Sequence, residues 1–274
     1  MSVRNVESTD RQKREIAYHR EHAERHSEVR ARPISAAILS NQRRWWNAFW
    51  ETYRILRRRD IAGKKIMVPG CGFGEDAIKL ALLGADVYAF DLSADILAIA
   101  IERADRNGAS INVAVMPAEA LAYDDNFFDG VLFMDILHHV DIPRAMKEVE
   151  RVLKPGGFII GNELYTHSRL QRVRNSGFVA NFLYPRMVRS IYGTERPYIT
   201  VDEHKIDENE LSIICDHMRK DKCSLLPFLF LCNRLFTERH KILVQLDHIL
   251  LRGLGPLGRL FCGRIVFEGT IAKA

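Results

Sequence analysis

The sequence has few cysteines, and their spacing does not suggest disulfide pairs or a metal site. Five occur in 274 residues, at positions 71, 215, 223, 232 and 262, and none lies in a Cys-x-x-Cys motif. The odd count and irregular spacing argue against a disulfide framework and a zinc site. A cluster of Asp and Asn that would hold magnesium is also missing. We therefore expect a cytoplasmic protein without a bound metal.

Long apolar runs and a strong charge of one sign are missing as well. The longest apolar run, 225–232, contains Pro227 and is too short to span a bilayer. The amino-terminal residues are charged and do not resemble a signal peptide. The formal net charge of +5 is mild, and no nucleic-acid-binding motif accompanies it. We therefore expect no transmembrane segment and no nucleic-acid partner.

Arginine is concentrated in two short segments. The clusters are at positions 54, 57, 58 and 59 and at positions 169, 172 and 174. Such clusters are usually solvated helix faces. The alternative is contact with an anionic substrate, a phosphate or a membrane surface.

A glycine-rich turn is the most informative feature present. The apolar run 65–69 is typical of a strand, Gly70, Gly72 and Gly74 follow it, and a helical pattern begins at Glu75. Glycine lets the backbone approach a ligand closely, and the helix N-terminus offers free N–H groups. The turn therefore predicts a nucleoside cofactor. Its Gly-x-Gly-x-Gly spacing differs from the dinucleotide fingerprint and is one that we associate with S-adenosylmethionine (SAM).

A carboxylate follows the second predicted strand. Residues 85–90 have a strand pattern, Asp91 ends it, and Ser93 is placed to cap the next helix. An acidic residue about 20 residues after the glycine turn can accept hydrogen bonds from both ribose hydroxyls. Asp91 could instead be an ordinary strand-end residue, but its distance from the turn favours the ribose contact.

The segment before the glycine turn carries two helical patterns. Residues 8–30 are polar and helix-prone, so this helix must lie on the domain, a neighbouring subunit or a ligand. A second helix is expected from about 40 to 58, where Trp46, Trp50 and Tyr53 share one face. Such an aromatic stripe is usually core packing, although it could line a substrate pocket.

Strand and helix patterns alternate from residue 65 onwards, which predicts an α/β fold with a parallel sheet. The expected strands are 65–69, 85–90, 111–115, 129–134, 158–163, 223–230 and 263–272. The chain then divides into an N-terminal helical lid, a cofactor-binding core, a cap insertion with a helix, and a C-terminal completion of the sheet with an intervening helix expected over 236–252. These parts are 1–59, 60–164, 165–222 and 223–274.

Several ordered motifs within residues 60–164 give the chain a resemblance to a known family. They are Val-Pro-Gly-Cys-Gly-Phe-Gly (68–74), Asp91, Met-Pro-Ala-Glu-Ala-Leu (116–121), Asn-Phe-Phe-Asp-Gly-Val (126–131), Leu-His-His-Val (137–140) and Glu-Val-Glu-Arg-Val-Leu-Lys-Pro-Gly-Gly (148–157). The chain resembles the class I SAM-dependent methyltransferases, in the branch of ubiquinone/menaquinone, sterol and natural-product enzymes. The resemblance implies a Rossmann-like seven-stranded methyltransferase sheet, mostly parallel with an antiparallel last strand, with N-terminal helices and a helical cap insertion.

The resemblance also implies a cofactor and a role for each matching residue. SAM would be the methyl donor and S-adenosyl-L-homocysteine (SAH) the product. The implied cofactor-binding residues are Gly70, Cys71, Gly72 and Gly74 around the methionine and ribose, Asp91 on the ribose hydroxyls, Leu92 on the adenine, Ala118 and Glu119 on the adenine edge, and Phe133 and Met134 beside the methionine.

Two positions depart from the family pattern. Pro69 stands where relatives commonly have Asp or Glu, and Pro117 stands where they commonly have Asp. Each change removes a polar contact worth about 1 kcal/mol. We expect SAM to bind still, more weakly by about tenfold to a hundredfold if nothing replaces these contacts.

The candidate catalytic residues are bases near the carboxyl edge of the sheet. Methyl transfer needs chiefly orientation, and it needs a base only when the acceptor must lose a proton. His138 and His139 follow the fourth strand, at the edge where ligands bind. Glu163, at the end of the fifth strand, and Tyr18, on the N-terminal segment, are further candidates. The histidines could instead brace the loop or contact SAM, and Glu163 could pair with the cap.

The acceptor is expected to be a small, hydrophobic natural-product or lipid-like molecule, because the cap contains Phe178, Phe182 and Tyr184. Methylation of carbon, including a prenyl carbon, and of oxygen both stay open. The competing interpretation is a non-catalytic partner or scaffold on the same fold, which Pro69 and Pro117 favour. A homo-oligomer through the N-terminal helix is a further expectation.

Overall fold

The computed structural model describes residues 9–25, 27–31, 33–34, 48–186, 205–219, 224–228, 249–250 and 253–273. The helices in these ranges are α1 (Asp10–Arg25), α2 (Ala48–Arg58), α3 (Glu75–Leu82), α4 (Ala94–Arg106), α5 (Ile142–Val152), α6 (Ser168–Arg174), α7 (Glu208–Asp216) and α8 (Gly258–Phe261). The strands are β1 (Lys65–Pro69), β2 (Asp86–Asp91), β3 (Asn112–Val115), β4 (Phe128–Met134), β5 (Leu153–Leu164), β6 (Ser224–Phe228) and β7 (Arg264–Thr270).

The strands form a mixed sheet in the order β3-β2-β1-β4-β5-β7-β6. Strands β1 to β5 pair in parallel, and β7 runs antiparallel to both β5 and β6. The expected mostly parallel α/β sheet with an antiparallel last strand is therefore confirmed. The strand order reverses at β1, and ligands of open parallel sheets bind outside the carboxyl ends of the strands at such a point.

A layer of buried side chains covers each face of the sheet. Successive residues of a strand point to opposite faces, so Met67 belongs to one cluster while Ile66 and Val68 belong to the other. Residues of α5 and α7 pack in the first cluster, and residues of α2 and α3 pack in the second. These two layers hold the carboxyl ends of the strands in fixed positions.

The described part of α2 supports the core-packing interpretation of the aromatic stripe. Tyr53 is buried in the second cluster, and Trp50 packs against that cluster. The Tyr53 hydroxyl also donates a hydrogen bond to Asp76 of α3. Trp46 and the expected helical residues 40–47 lie outside the described ranges.

Local hydrogen bonds explain where three of the helices begin. The Ser93 hydroxyl accepts from the Ile96 amide at the start of α4, and the Asp141 carboxylate accepts from the Arg144 amide at the start of α5. Asp207 caps α7 in the same way and forms a reciprocal capping box. A side-chain oxygen at this position satisfies amides that have no partner within the helix.

Some boundaries differ from the sequence expectation. Strand β5 begins at Leu153, not near 158, because Leu153 pairs with Phe128 of β4 before the register shifts. The first helix ends at Arg25, and a 3-10 turn, Ser27–Ala31, follows. The helical pattern expected over 236–252 lies almost entirely outside the described residues.

The cap insertion is described only in part. Helix α6 is followed by a helical stretch that includes the π-helical turn Val179–Leu183, and α7 follows later in the chain. Residues 187–204 lie outside the described ranges. Among the helices that the structure describes, none is long and apolar enough to cross a membrane.

Candidate active site at the carboxyl ends of the strands

A cavity of about 400 Å³ lies where β1, β2 and β4 end. Six of its lining residues are among the predicted cofactor contacts: Gly70, Gly72, Asp91, Leu92, Ala118 and Glu119. The segment after β4 adds Asp135, Ile136 and His139, and α1 adds Arg11, Gln12 and Glu15. Residues distant in the sequence therefore meet around one space at the switch point of the sheet.

Gly70 and Gly72 of the turn are glycines for different structural reasons. Gly70 has a φ of 58°, and a Cβ built there would lie 2.2 Å from Cδ1 of Ile136, so a side chain would collide with Ile136. Gly72 has a φ of 51°, and a Cβ there would meet no atom within 4 Å. Since Gly72 lines the cavity, its missing side chain leaves room for a ligand to reach the backbone.

Asp91 joins the glycine turn to the end of β2. It is 7% exposed; Oδ2 accepts from the Gly72 amide at 3.0 Å, and Oδ1 accepts from the Ser93 amide at 3.1 Å. Each carboxylate oxygen can accept a second hydrogen bond. The carboxylate is thus held in place and retains the capacity to accept from two ribose hydroxyls. Leu92 and Ala118 supply apolar wall beside it, so this part of the cavity fits a nucleoside.

The other predicted cofactor contacts are not among the residues that line the described cavity. Gly74, with a φ of 75°, is the residue before α3, and a Cβ there would lie 2.8 Å from Cβ of Ala100. Burial raises the pKa of the Cys71 thiol, which favours its protonated form. Phe133 is completely buried in one core cluster, and Met134 packs against the other. Their predicted contacts with SAM stay predictions.

His138 and Glu163 form a buried pair behind the cavity. Nδ1 of His138 lies 2.9 Å from Oε2 of Glu163, and the two residues are 2% and 0% exposed. Oε1 of Glu163 accepts from the amides of Ile136 and Leu137, each at 2.9 Å. One carboxylate therefore fixes both the turn after β4 and a histidine ring, which supports a positioning role for Glu163.

His139 is the histidine that lines the cavity among the described residues. Its Nδ1 lies 3.4 Å from Oε1 of Glu15, which is a buried residue of α1. The ring centroids of His138 and His139 are 4.2 Å apart. His139 thus connects the edge of the sheet to the N-terminal helix. Tyr18 also belongs to α1, but its side chain lies outside the described part of the structure.

Helix α1, which belongs to the amino-terminal part of the chain, contributes one wall of the cavity. Nη2 of Arg11 donates to the carbonyl of His138 at 3.4 Å. Further along the helix, Nε of Arg20 donates to Asp95 of α4 at 3.3 Å. The helix therefore lies on its own domain, one of the alternatives left open by the sequence. The expected homo-oligomer stays a prediction.

The sequence reasoning missed Asp135 and Arg264. Asp135 has a φ of 54°, lines the cavity and accepts from Nη2 of Arg264 at 2.9 Å. Nη1 of the buried Arg264 donates to Oδ1 of Asn162 at 2.7 Å. Burial raises the pKa of Asp135, and Arg264 acts in the opposite direction. The position of Asp135 directly after a predicted strand was a signal, whereas nothing local marked its partner in β7.

Asp135, His138 and Glu163 also have potential metal-ligand atoms within 4.8 Å of one another. Arg264 lies 2.8 Å from Oδ1 of Asp135, and Glu163 accepts two backbone hydrogen bonds. A guanidinium beside the carboxylate opposes a second cation. These contacts favour a hydrogen-bonded network at this place, and the expected absence of a metal stays a prediction.

The comparisons with known proteins agree with this geometry. Residues 67–161 match the family model described as "Methyltransferase domain". A ubiquinone biosynthesis O-methyltransferase of Chromobacterium violaceum is 33% identical over 133 residues, which cover 47% of this chain and 57% of that protein. Methyltransferase GfsG of Streptomyces halstedii is 29% identical over 64% of this chain and 65% of its own length. The chain thus covers less than two thirds of either relative.

A solved structure shares the fold over a longer part of the chain. A SAM-dependent methyltransferase structure from Methanosarcina mazei superimposes with a TM-score of 0.53 at 20% identity. The superposition covers 80% of this chain and 98% of the other. At this identity the likeness concerns the fold.

Proposed function

Because residues 67–161 form a methyltransferase domain of the class I SAM-dependent type, we propose that the chain transfers a methyl group from SAM to a small organic acceptor. The observation that carries the proposal is that Gly72 and Asp91 share one cavity with His139. The first two residues fit a nucleoside, and the third is a titratable group in the same lining. A cofactor and an acceptor could therefore meet in this space.

We assign the cofactor to the part of the cavity lined by the glycine turn. SAM, when bound, supplies an activated methyl group. Asp91 would accept hydrogen bonds from the ribose hydroxyls, while the open backbone at Gly72 lets the ligand approach. Leu92 and Ala118 would contact the adenine, and Glu119, whose Oε1 accepts from the Asp141 amide at 3.0 Å, would border it. This chain's part in the reaction is chiefly to orient the reactants.

We assign proton removal to His139. It lines the cavity, whereas His138 is buried against Glu163. A neutral imidazole can accept the proton that a hydroxyl acceptor loses as its oxygen is methylated. Glu163 and His138 would act by holding the turn that carries His139, and Glu15 would orient the ring through Nδ1.

The acceptor that fits these assignments is a small molecule with an ionisable hydroxyl on an apolar, phenol-like body. Ile136 and Val140 offer apolar wall beside His139. The cap residues Phe178, Phe182 and Tyr184 no longer support a hydrophobic acceptor. They are exposed and are not among the residues that line the described cavity. Methylation of a carbon, including a prenyl carbon, is the alternative that product analysis distinguishes.

Calorimetric titration with SAM and SAH tests the cofactor site. We expect the wild type to bind both ligands and Asp91→Ala to lose at least about tenfold in affinity, since two hydrogen bonds to a charged acceptor disappear. Asp124→Ala is the matched control, because Asp124 is exposed and lies outside the described lining. If the wild type binds neither ligand, with or without phenolic acceptors, the non-catalytic interpretation replaces this one.

A further inference from the structure

The cap insertion presents apolar side chains to solvent. Phe178 is 65% exposed and Phe182 is 49% exposed, and their rings stack with centroids 5.5 Å apart. Leu183 and Tyr184 follow, each 45% exposed. Exposed single apolar residues are ordinary, but a contiguous group of them marks an interaction surface.

A second segment beside helix α6 also exposes apolar side chains. The turn Gly255–Leu257 and α8 carry Leu257 and Phe261, which are 57% and 51% exposed. Both α8 and the helical stretch around Val179–Leu183 pack against α6. We call the combined set the cap surface; it consists of Val173, Phe178, Phe182, Leu183, Tyr184, Leu257 and Phe261.

The charges within the two segments that carry the cap surface all have one sign. No Asp or Glu occurs in the sequence from 168 to 186 or from 253 to 263. Arg169, Arg172, Arg186 and Arg259 in these segments are exposed. The guanidinium carbon of Arg186 lies 3.7 Å from the centroid of the Phe182 ring. Positive charge and aromatic surface are therefore presented side by side.

We propose that the cap surface docks onto the surface of an anionic lipid bilayer. Exposed aromatic and aliphatic side chains can enter the boundary between headgroups and acyl chains, while arginines pair with lipid phosphates. A symmetric dimer through this surface is disfavoured, because a two-fold interface would place the arginines of one copy against those of the other. The charge pattern therefore fits a negatively charged partner better than a second copy.

The position of the cap surface relates it to the cavity. Helix α6 begins at Ser168, shortly after β5 ends at Leu164, at the carboxyl edge of the sheet. The cavity lies at the same edge. Docking would therefore bring that edge of the sheet toward the bilayer. The inference itself rests on the cap surface and does not require the proposed methyl transfer.

Co-sedimentation of the full chain with vesicles tests the proposal. We expect binding to vesicles of phosphatidylcholine with about one third phosphatidylglycerol, and little binding to phosphatidylcholine alone or at about 0.5 M salt. Phe178→Ser with Phe182→Ser should weaken binding at least about tenfold. Arg172→Gln with Arg186→Gln should weaken it about fivefold per arginine.

The control is a matched pair of exposed apolar residues elsewhere, Leu82→Ser with Val115→Ser, which should bind the vesicles like the wild type. Thermal melts check that the Phe variant folds; if it does not, the arginine variant decides. The proposal is wrong if the wild type does not sediment with the phosphatidylglycerol vesicles, or if the folded variants sediment equally well.

The proposal is also wrong if sedimentation velocity shows that the substitutions dissociate a dimer and leave vesicle binding intact. SAH binding by the folded variants should equal that of the wild type, which separates this test from that of the cofactor site.

Discussion

Nδ1 of His138 lies 2.9 Å from Oε2 of Glu163, and the other oxygen of the same carboxylate accepts two backbone amides of the turn after β4. The pair therefore links β5 to the turn that carries His139. A buried carboxylate with three such partners stabilises a backbone conformation as well as a ring orientation. In the proposed reaction, this internal support would hold His139 in position.

Replacing Glu163 with Gln should lower the free energy of unfolding by about 2–3 kcal/mol, because a charged acceptor of three hydrogen bonds is lost. Urea unfolding measures the change. Glu150→Gln is the matched control, since Oε2 of Glu150 lies 2.8 Å from Nδ1 of His217 at a more exposed place. The control should lose less than about 1 kcal/mol. Equal losses in both variants would contradict the buried positioning role.

Gly72→Ala should reduce the affinity for SAH by at least about tenfold, because the new methyl group occupies space at the cavity. Gly63→Ala is the control, because Gly63 also has a left-handed backbone conformation. Its φ is 71°, and a Cβ there also meets nothing within 4 Å. Both variants should lose about 1–2 kcal/mol of stability through left-handed strain. Calorimetric titration and urea unfolding separate the two effects. A similar loss of SAH affinity in Gly63→Ala would show that the strain, not the site, is responsible.

His139→Gln should lower turnover of a phenolic acceptor by about 10²- to 10⁴-fold, the usual contribution of a general base. The affinity for SAH should change by less than about threefold, because the assigned base contacts the acceptor. The rate of product formation measures turnover, and calorimetric titration measures the affinity for SAH. His217→Gln, at the surface pair with Glu150, should retain full turnover. If His139→Gln keeps the turnover of the wild type, His139 is not the base.

The stability contribution of Glu148 should depend on pH. Arg151 donates to both oxygens of Glu148, at 3.0 and 2.8 Å, and this contact lowers the pKa of the Glu148 carboxyl. A lowered folded-state pKa gives stability that is complete above the unfolded-state value of about 4.3 and is lost as the pH falls through the folded-state value. The difference in unfolding free energy between wild type and Glu148→Gln should therefore be about 1–2 kcal/mol near pH 7 and shrink below about pH 4. Urea unfolding at both pH values measures it; a constant difference would contradict the linkage.

The sequence could predict the elements that depend on neighbouring residues. The apolar run before Gly70, the helical pattern after Glu75 and the strand that ends at Asp91 all appear where expected. Periodicity and turn chemistry act over a few residues, so they can be read directly along the chain. They were sufficient for the α/β fold and for Gly70, Gly72 and Asp91 in the cavity wall. The other three predicted lining residues, Leu92, Ala118 and Glu119, came from the family resemblance.

Only the tertiary structure decided which groups face one another. Glu15 and His139 are 124 residues apart, and Asp135 and Arg264 are 129 apart, yet each pair is in contact. It also decided that Glu163 is buried behind the cavity and that Phe178 lies in solvent. Contacts of this kind depend on how separate elements pack around the sheet, because pairing and burial are set by the complete fold and leave no local pattern in the sequence.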